Sequence, residues 1–327
     1  MPSKARMEKI KRDKQRRRKK IAVVLLVILL IFVSAVFLFF NMFFSDMEQV
    51  DISRNEEELQ VNKDLDKDFI NIALFGVDSR TEDYEGARTD TIMIGTLDTE
   101  NGKIKLTSIM RDTYVDIPEH SYDQINHAHA YGGPELAIRT INRNFDMNLK
   151  DFVTVNFDAL ERIVDAVGGV EIEVNSAEVS HITGISSAGT HMLNGEQALD
   201  YSRIRKVGNA DYERTERQRR VPEEVIYSVL RDKSISKAMS LADSLLPYVK
   251  TSLSRTQIMN YATKLFTSGA STIENARLPL DDYSTGTMMN GVYYLKPNPL
   301  ETNVRHLHEF IYENDEYEPS DTLMNIS

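Results

Sequence analysis

The sequence predicts an α/β (α+β) domain, a central mixed β-sheet flanked by helices, held behind a single membrane-spanning anchor. Three observations carry that prediction. Residues 21–44, IAVVLLVILLIFVSAVFLFFNMFF, contain no charged side chain. Beyond them, short β-branched runs alternate with segments of helical period. The first of those runs, FINIALFGV at 69–77, is apolar almost throughout, as a strand covered on both faces must be.

The 327 residues allow one large domain or two small ones behind the anchor. There is no cysteine, so neither a disulfide framework nor a thiolate nucleophile is available, and stability has to come from a hydrophobic core. Charge is uneven along the chain. Residues 1–20 carry 11 Lys or Arg against Glu8 and Asp13; without them, the 39 basic and 50 acidic residues become 28 and 48, a balance of −20. Such a body repels nucleic acid in bulk, which excludes it as a general partner.

The anchor comes first in the chain. At 1.5 Å per residue, 24 uncharged residues span the apolar slab of a bilayer with modest tilt. KRDKQRRRKK precedes the span and SDMEQVD follows it, which places the N-terminus in the cytoplasm and the body outside. The competing readings are a cleaved signal peptide, which the absence of a small-x-small cleavage site opposes, and a buried core helix, which would rarely be apolar on every face. The charged residues 45–67 form a stalk, helical or flexible.

FINIALFGV then opens the body as an inner strand, and TIMIGTL at 91–97 is a second strand. Asn101–Gly102 turns the chain into KIKLTSI, a third strand ending near Ile109. PELAIRTINRNF is a helix with Pro134 in its first turn. DFVTVNF is a strand, DALERIVDAV a helix closed by Gly168–Gly169, and VEIEV a strand with Glu171 and Glu173 outward. Residues 175–190 read as a flap or rim loop. LNGEQALDYSR is a short helix and 212–230 a longer one, with further helices around SLADSLLPYV and RTQIMNYATKLF. Two strands follow, near Glu274 and at 291–297, then a helix near 303–312 and an acidic end expected to fray.

Polar clusters stand where these strands end, the usual place for a site in α/β proteins. GVDSR follows the first strand and GARTDT precedes the second, so Asp78 and Asp90 could face one point and hold a hard divalent cation, Mg²⁺ or Mn²⁺, with help from a phosphate. The alternative is turn chemistry, since aspartate at such positions also caps backbone groups. MRDTYVDIP ends the third strand; Arg111 emerging from a buried strand needs an anion, from Asp112 or from a ligand. His127 and His129 lack a third ligand at zinc spacing, so hydrogen-bonding or wall roles suit them better. YSRIRKVGNADYERTERQRR gathers Arg203, Arg205, Arg214 and Arg217 around one turn, and Arg214 and Gln218 lie four apart if Asp211 opens a helix. Planar cations so grouped suit bidentate capture of phosphate; a solvated basic helix is the plainer alternative. GxxxxGK[ST], GxGxxG and the nucleophile elbow are all absent, which excludes the familiar ATPase, dehydrogenase and esterase classes.

NIALFGVDSR, ARTDTIMIGTL, KLTSIMRDTYVDIP, INHAHAYGG, DFVTVNFDAL, IVDAVGGVEIEV, LNGEQALDYSRIRK and DYERTERQR together resemble the LytR–CpsA–Psr family of bacterial cell-envelope proteins, especially its wall teichoic acid ligases. The resemblance implies an extracellular catalytic domain over 68–318, after a basic tail (1–20), an anchor (21–44) and a stalk (45–67), with a flexible acidic tail at 319–327. It implies a phosphotransferase that moves an anionic glycopolymer from a polyprenyl-pyrophosphate carrier to the C6 hydroxyl of peptidoglycan N-acetylmuramic acid, using a lipid-binding groove. Asp78 and Asp90 match the metal and phosphate aspartates, and Arg111 the arginine of SxxRDxY. Arg88, Arg203, Arg205, Asp211, Arg214, Arg217 and Gln218 match pyrophosphate-binding positions. Met110 stands where proline is usual, and Glu213 where glycine commonly precedes Arg214. Two alternatives remain open on the sequence: a pyrophosphatase or phosphodiesterase on the same carrier, and a non-catalytic envelope regulator.

Overall fold

In the computed structural model the chain divides into two units, Met1–Asp46 and Met47–Ser327. Residues 48–77, 84, 86–204, 207, 210–231, 249–270 and 272–326 are described, without the side chains of 157, 158, 210–215, 229 and 230. The basic tail, the span at 21–44 and most of SLADSLLPYV therefore lie outside the described residues. Among those described, no helix is long and apolar enough to cross a membrane.

In chain order the strands are β1 (Glu48–Gln49), β2 (Phe69–Val77), β3 (Thr89–Asp98), β4 (Lys103–Ile109), β5 (Tyr114–Ile117), β6 (Ser121–Gln124), β7 (Phe152–Asn156), β8 (Val170–Val174), β9 (Gly189–Leu193), β10 (Val249–Thr251), β11 (Thr272–Leu278), β12 (Ser284–Met289) and β13 (Val292–Pro297). The helices are α1 (Asn126–Phe145), α2 (Phe157–Ala166), α3 (Gly195–Arg203), α4 (Ala210–Arg231), α5 (Arg255–Thr267), α6 (Leu300–Tyr312) and α7 (Asp321–Ile326). Seven strands form one mixed sheet in the order β1-β10-β7-β2-β3-β4-β11, and β5–β6, β8–β9 and β12–β13 are separate ribbons.

The apolar strands are explained by what covers each face. Phe75, Ile92, Ile94 and Phe152 pack against Ile138, Ile141 and Phe145 of α1 and Val304 and Leu307 of α6, and this is the main core. The opposite face presents Met93 and Leu106 beside Ile226 of α4 and Leu265 of α5. A second core joins α2, the β8–β9 ribbon, α3 and α4 through Leu160, Val164, Ile172, Tyr201 and Val221. The β3–β4 connection is a four-residue loop, Thr99 to Gly102. There Asp98 accepts from the amides of Glu100 and Asn101, and only Gly102 takes a left-handed φ, +64°.

Several expectations need correction. Residues 48–67 are not a free stalk: β1 pairs with β10, Leu59 is fully buried, and Val50, Ile52, Val61 and Leu65 pack on the main core. The end of the chain does not fray. Tyr317 and Leu323 are buried, and Asp146 holds the segment through the Tyr317 hydroxyl and the Ser320 amide. The helix expected to start at Pro134 begins earlier, at Asn126, and α1 bends where Gly132 and Gly133 leave helical φ/ψ. The flap at 175–190 contributes the first two residues of β9, which pairs with β8.

His308 on α6 is fully buried, stacked 3.6 Å from the ring of Tyr317, and donates from Nε2 to the Phe145 carbonyl at 3.0 Å. Burial pushes its pKa down from 6.5 to about 4. The folded state thus holds the neutral ring, and its contribution is fully present above pH 6.5 and lost as pH falls toward 4, an effect on the order of 3 kcal/mol. Thermal melts at pH 7.5, 6 and 5 should show the midpoint falling with pH, and the fall should be shallower in His308→Gln.

Candidate functional site

Strands β2, β4, β7 and β11 all run in one direction, so Val77, Ile109, Asn156 and Leu278 end on the same edge of the sheet, where β3 begins. The two sides of the candidate site meet there. The β2–β3 register passes from Gly76↔Thr91 to Val77↔Thr89, leaving Asp90 as the extra residue of a β-bulge. A bulge re-aims the side chain it carries. Asp90 is 8 % exposed, and its Oδ1 accepts from Arg111 Nη1 at 2.7 Å. Arg111 leaves the end of β4 as the sequence requires, and Asp112 Oδ2 lies 3.6 Å from its Nε. Gln218 Nε2, reaching down from α4, is 3.4 Å from Asp90 Oδ2.

Around this pair the polar groups are under-used. Thr89 Oγ1, Ser108 Oγ and Gln218 Oε1 are buried with no hydrogen-bond partner among the described residues. Native interiors seldom leave such groups unpaired unless water, an ion or a ligand completes them. Arg219, which sequence reasoning did not single out, borders a small hollow shared with Asp90, Ser108 and Met110. Its only signal in the sequence is that it follows Gln218. Among the described residues no cluster of three or more His, Asp or Glu could hold a metal by itself. Asp90 still fits a magnesium site of the kind completed by one or two carboxylates and phosphate oxygens.

Behind the pair lies an apolar cavity of about 180 Å³ between the sheet and helices α2 and α4. Leu74, Met93, Val153 and Val155 form its floor, Leu160, Ile163 and Val225 its roof, and Gln218 and Asn156 its polar end. Intermediate burial of the alternate residues of β2, Leu74 and Gly76 among them, reflects this open face.

The expected residues divide three ways. Asp78 and Arg205 lie outside the described residues. Asp211 and Arg214 are on α4, as predicted, but their side chains are not described, nor is that of Glu213. Arg88 and Arg203 are exposed, at the entry to β3 and the end of α3. Arg217 is the correction. Only 2 % exposed, it donates from Nε to Glu178 Oε1 at 2.6 Å and from Nη1 to the Ile204 carbonyl at 3.3 Å. A buried guanidinium so engaged anchors the 204–207 segment instead of meeting phosphate. Arg219 is likewise paired, with Glu216 and Glu223. His129, as a wall residue, sits edge-on to Phe75 and bonds the Ala87 carbonyl, and burial lowers its pKa. Met110 donates its amide to Leu278, a bond proline could not make.

The family model described as LytR_cpsA_psr matches residues 36–307. The chain belongs to the LytR–CpsA–Psr family. A family member from Enterococcus faecalis, a polyisoprenyl-teichoic acid–peptidoglycan teichoic acid transferase named TagU, is 34 % identical over 74 % of this chain and 78 % of its own length. Another, from Staphylococcus aureus, is named regulatory protein MsrR; it is 30 % identical over 70 % of each chain. The family protein TagT of Bacillus subtilis, solved with bound octaprenyl pyrophosphate lipid, superposes with a TM-score of 0.61 at 29 % identity, covering 80 % of this chain and 99 % of that one. The mixed sheet flanked by helices is thus the fold of the family's solved structures.

Breaking the buried pair by Arg217→Ala strands Glu178 and should cost about 3–5 kcal/mol of stability. Chemical denaturation checks this, and Arg217→Met combined with Glu178→Leu should recover part of the loss.

Proposed function

We propose that this protein transfers an anionic glycopolymer, wall teichoic acid or a related polymer, from a polyprenyl-pyrophosphate carrier to the C6 hydroxyl of N-acetylmuramic acid in peptidoglycan. The observation that carries the reading is the apolar cavity ending at the Asp90–Arg111–Gln218 centre. One apolar tail and one compact polyanion are what such a site accommodates, and a relative of the same family is solved with a prenyl pyrophosphate. The cavity is smaller than the roughly 300–1,000 Å³ of small-molecule pockets, so it covers one part of a prenyl chain.

Within that reading Arg111, Arg88, Arg203, Arg205 and Arg214 gather around the pyrophosphate, and Asp211 and Gln218 orient that cluster. Asp90 and Asp78 would hold Mg²⁺ or Mn²⁺, which when bound neutralises charge on the phosphate oxygens. The acceptor hydroxyl oxygen forms the new bond to the sugar-bearing phosphorus while the bridging bond to the lipid phosphate breaks, and polyprenyl phosphate leaves. Fixed cations at the developing charge lower that barrier, so no covalent nucleophile from the protein is needed. The uncharged span 21–44 anchors the protein with its N-terminus in the cytoplasm and residues beyond 44 outside.

Transfer by the purified full chain from a defined lipid-linked glycopolymer to peptidoglycan oligomers tests the function. Arg111→Lys keeps the charge but loses the planar fork, and turnover should drop by about 10²-fold with little change in melting temperature. Asp90→Asn should abolish the stimulation of turnover by magnesium; full activity of the parent protein in chelator would remove the metal. Release of free polymer without transfer would favour hydrolysis instead. Protease added to intact protoplasts should remove the body and spare the N-terminal tail.

A further inference from the structure

An aromatic surface lies against the same edge of the sheet, on the side of α1 and away from the cavity. Of the nine large hydrophobic side chains exposed among the described residues, Tyr122, Tyr131, Tyr283, Met288, Val292 and Tyr293 belong to β6, the first turns of α1 and the β12–β13 ribbon with its approach. These pieces are joined: β5 meets β13 through Thr113 and Leu295, and Tyr114 stacks on Tyr122 and edge-on to Tyr294. At its centre Asp123 accepts from the hydroxyl of Tyr131 at 2.7 Å and lies 2.7 Å from His127 Nδ1, while Tyr131 stacks on His120 at 4.6 Å. Tyr131 and the half-buried Tyr294, both donating their hydroxyls to Asp123, are rings fixed at the rim and not core side chains that failed to find cover.

The surface is continuous with the catalytic centre. Gln124 donates to both Asp112, the neighbour of Arg111, and the Tyr293 carbonyl, at 3.0 and 2.8 Å. In-line displacement requires the attacking oxygen to approach phosphorus opposite the leaving group. If the lipid lies in the cavity, the acceptor must come from the other side, which is this one.

We propose that this surface binds the acceptor glycan strand, with Tyr131 and Tyr294 as platforms for sugar rings and Asp123, which accepts from both hydroxyls, and His127 at their hydroxyl-bearing edges. The apolar C–H face of a pyranose packs on an aromatic face, and its equatorial hydroxyls need polar partners at the rim. The proposal rests on the transferase reading for the identity of the glycan.

The full chain in detergent, assayed with a lipid-linked donor and an N-acetylglucosamine–N-acetylmuramic acid tetrasaccharide acceptor, provides the test. Tyr131→Ala and Tyr294→Ala should each raise the acceptor KM by about tenfold, with donor KM and octaprenyl pyrophosphate binding within about twofold of the parent. Tyr131→Phe should keep most of the acceptor affinity, and Phe266→Ala, an exposed ring on α5, should change nothing. An unchanged acceptor KM in both alanine variants would overturn the proposal. A rise in donor KM alone would overturn it too, by assigning the surface to the donor polymer. If the parent protein transfers nothing, the transferase reading fails by itself, and direct NMR titration with the tetrasaccharide still decides: shifts lost in Tyr131→Ala uphold the surface, and no shifts in the parent overturn it.

Discussion

A carboxylate on a bulge, facing an arginine from the next strand but one register away from ordinary pairing, governs the rest of the site. Asp90 would be an ordinary ladder residue if β2 and β3 kept step to the end. The slip at Val77 frees it from the pleat, and Arg111 meets it at 2.7 Å. Neither charge could lie this deep alone, since an isolated buried charge costs several kcal/mol. Their pairing fixes both side chains before any ligand arrives. Preorganised charge is what stabilises a phosphoryl-transfer transition state without reorganisation at the moment of reaction.

The arginine run is a study in divided labour. Read as sequence, its cations looked equivalent, suited either to gathering around phosphate or to a solvated helix face. In the fold, Arg217 has Glu178 as its anion and Arg219 has Glu216 and Glu223. Both carboxylate partners of Arg219 stand on α4 itself, at spacings of three and four, yet Glu178 is 39 residues from Arg217 and no local pattern signals it. The buried Arg217 pair ties Glu178, ahead of the β8–β9 ribbon's second strand, to α4, and the same guanidinium holds the carbonyls of Ile204 and Val207.

That difference marks what the sequence could and could not disclose. β2 was legible residue for residue, because an apolar run bounded by charge has one interpretation. The helices α3 and α5 were expected from their sequence as well, and capping boxes of Asn194 and Ser254 with glutamine three residues on, which no expectation named, close both of them. The Asn290–Gly291 pair, with φ of +51° and +83°, joins β12 to β13 in the manner such a pair advertises, but β12 is so polar that it did not read as a strand. Residues 48–67 were misread for the opposite reason. Their charge content is that of a tether, and only the few apolar residues among them, Leu59 foremost, commit them to the core. Asp90 and Arg111 were identifiable from their places at strand ends; the bulge that joins them depends on register, which no single strand encodes.

Charge over the whole body bears on how such a site would work. Beyond the first 20 residues the balance is −20, and Arg88, an exposed cation, stands two residues before Asp90. An anionic polymer is repelled by most of this surface, so the chain itself gains little from lingering contact. Only the pyrophosphate junction, the one part of a lipid-linked polymer that joins concentrated charge to a prenyl tail, matches the cation-and-cavity pair on both counts. Specificity for a junction, with indifference to the repeating units beyond it, follows from that arrangement. It also explains why the apolar and the charged halves of the site must meet at a single edge of the sheet: separated by even one strand, each would bind its own class of ligand and neither would select the molecule that carries both.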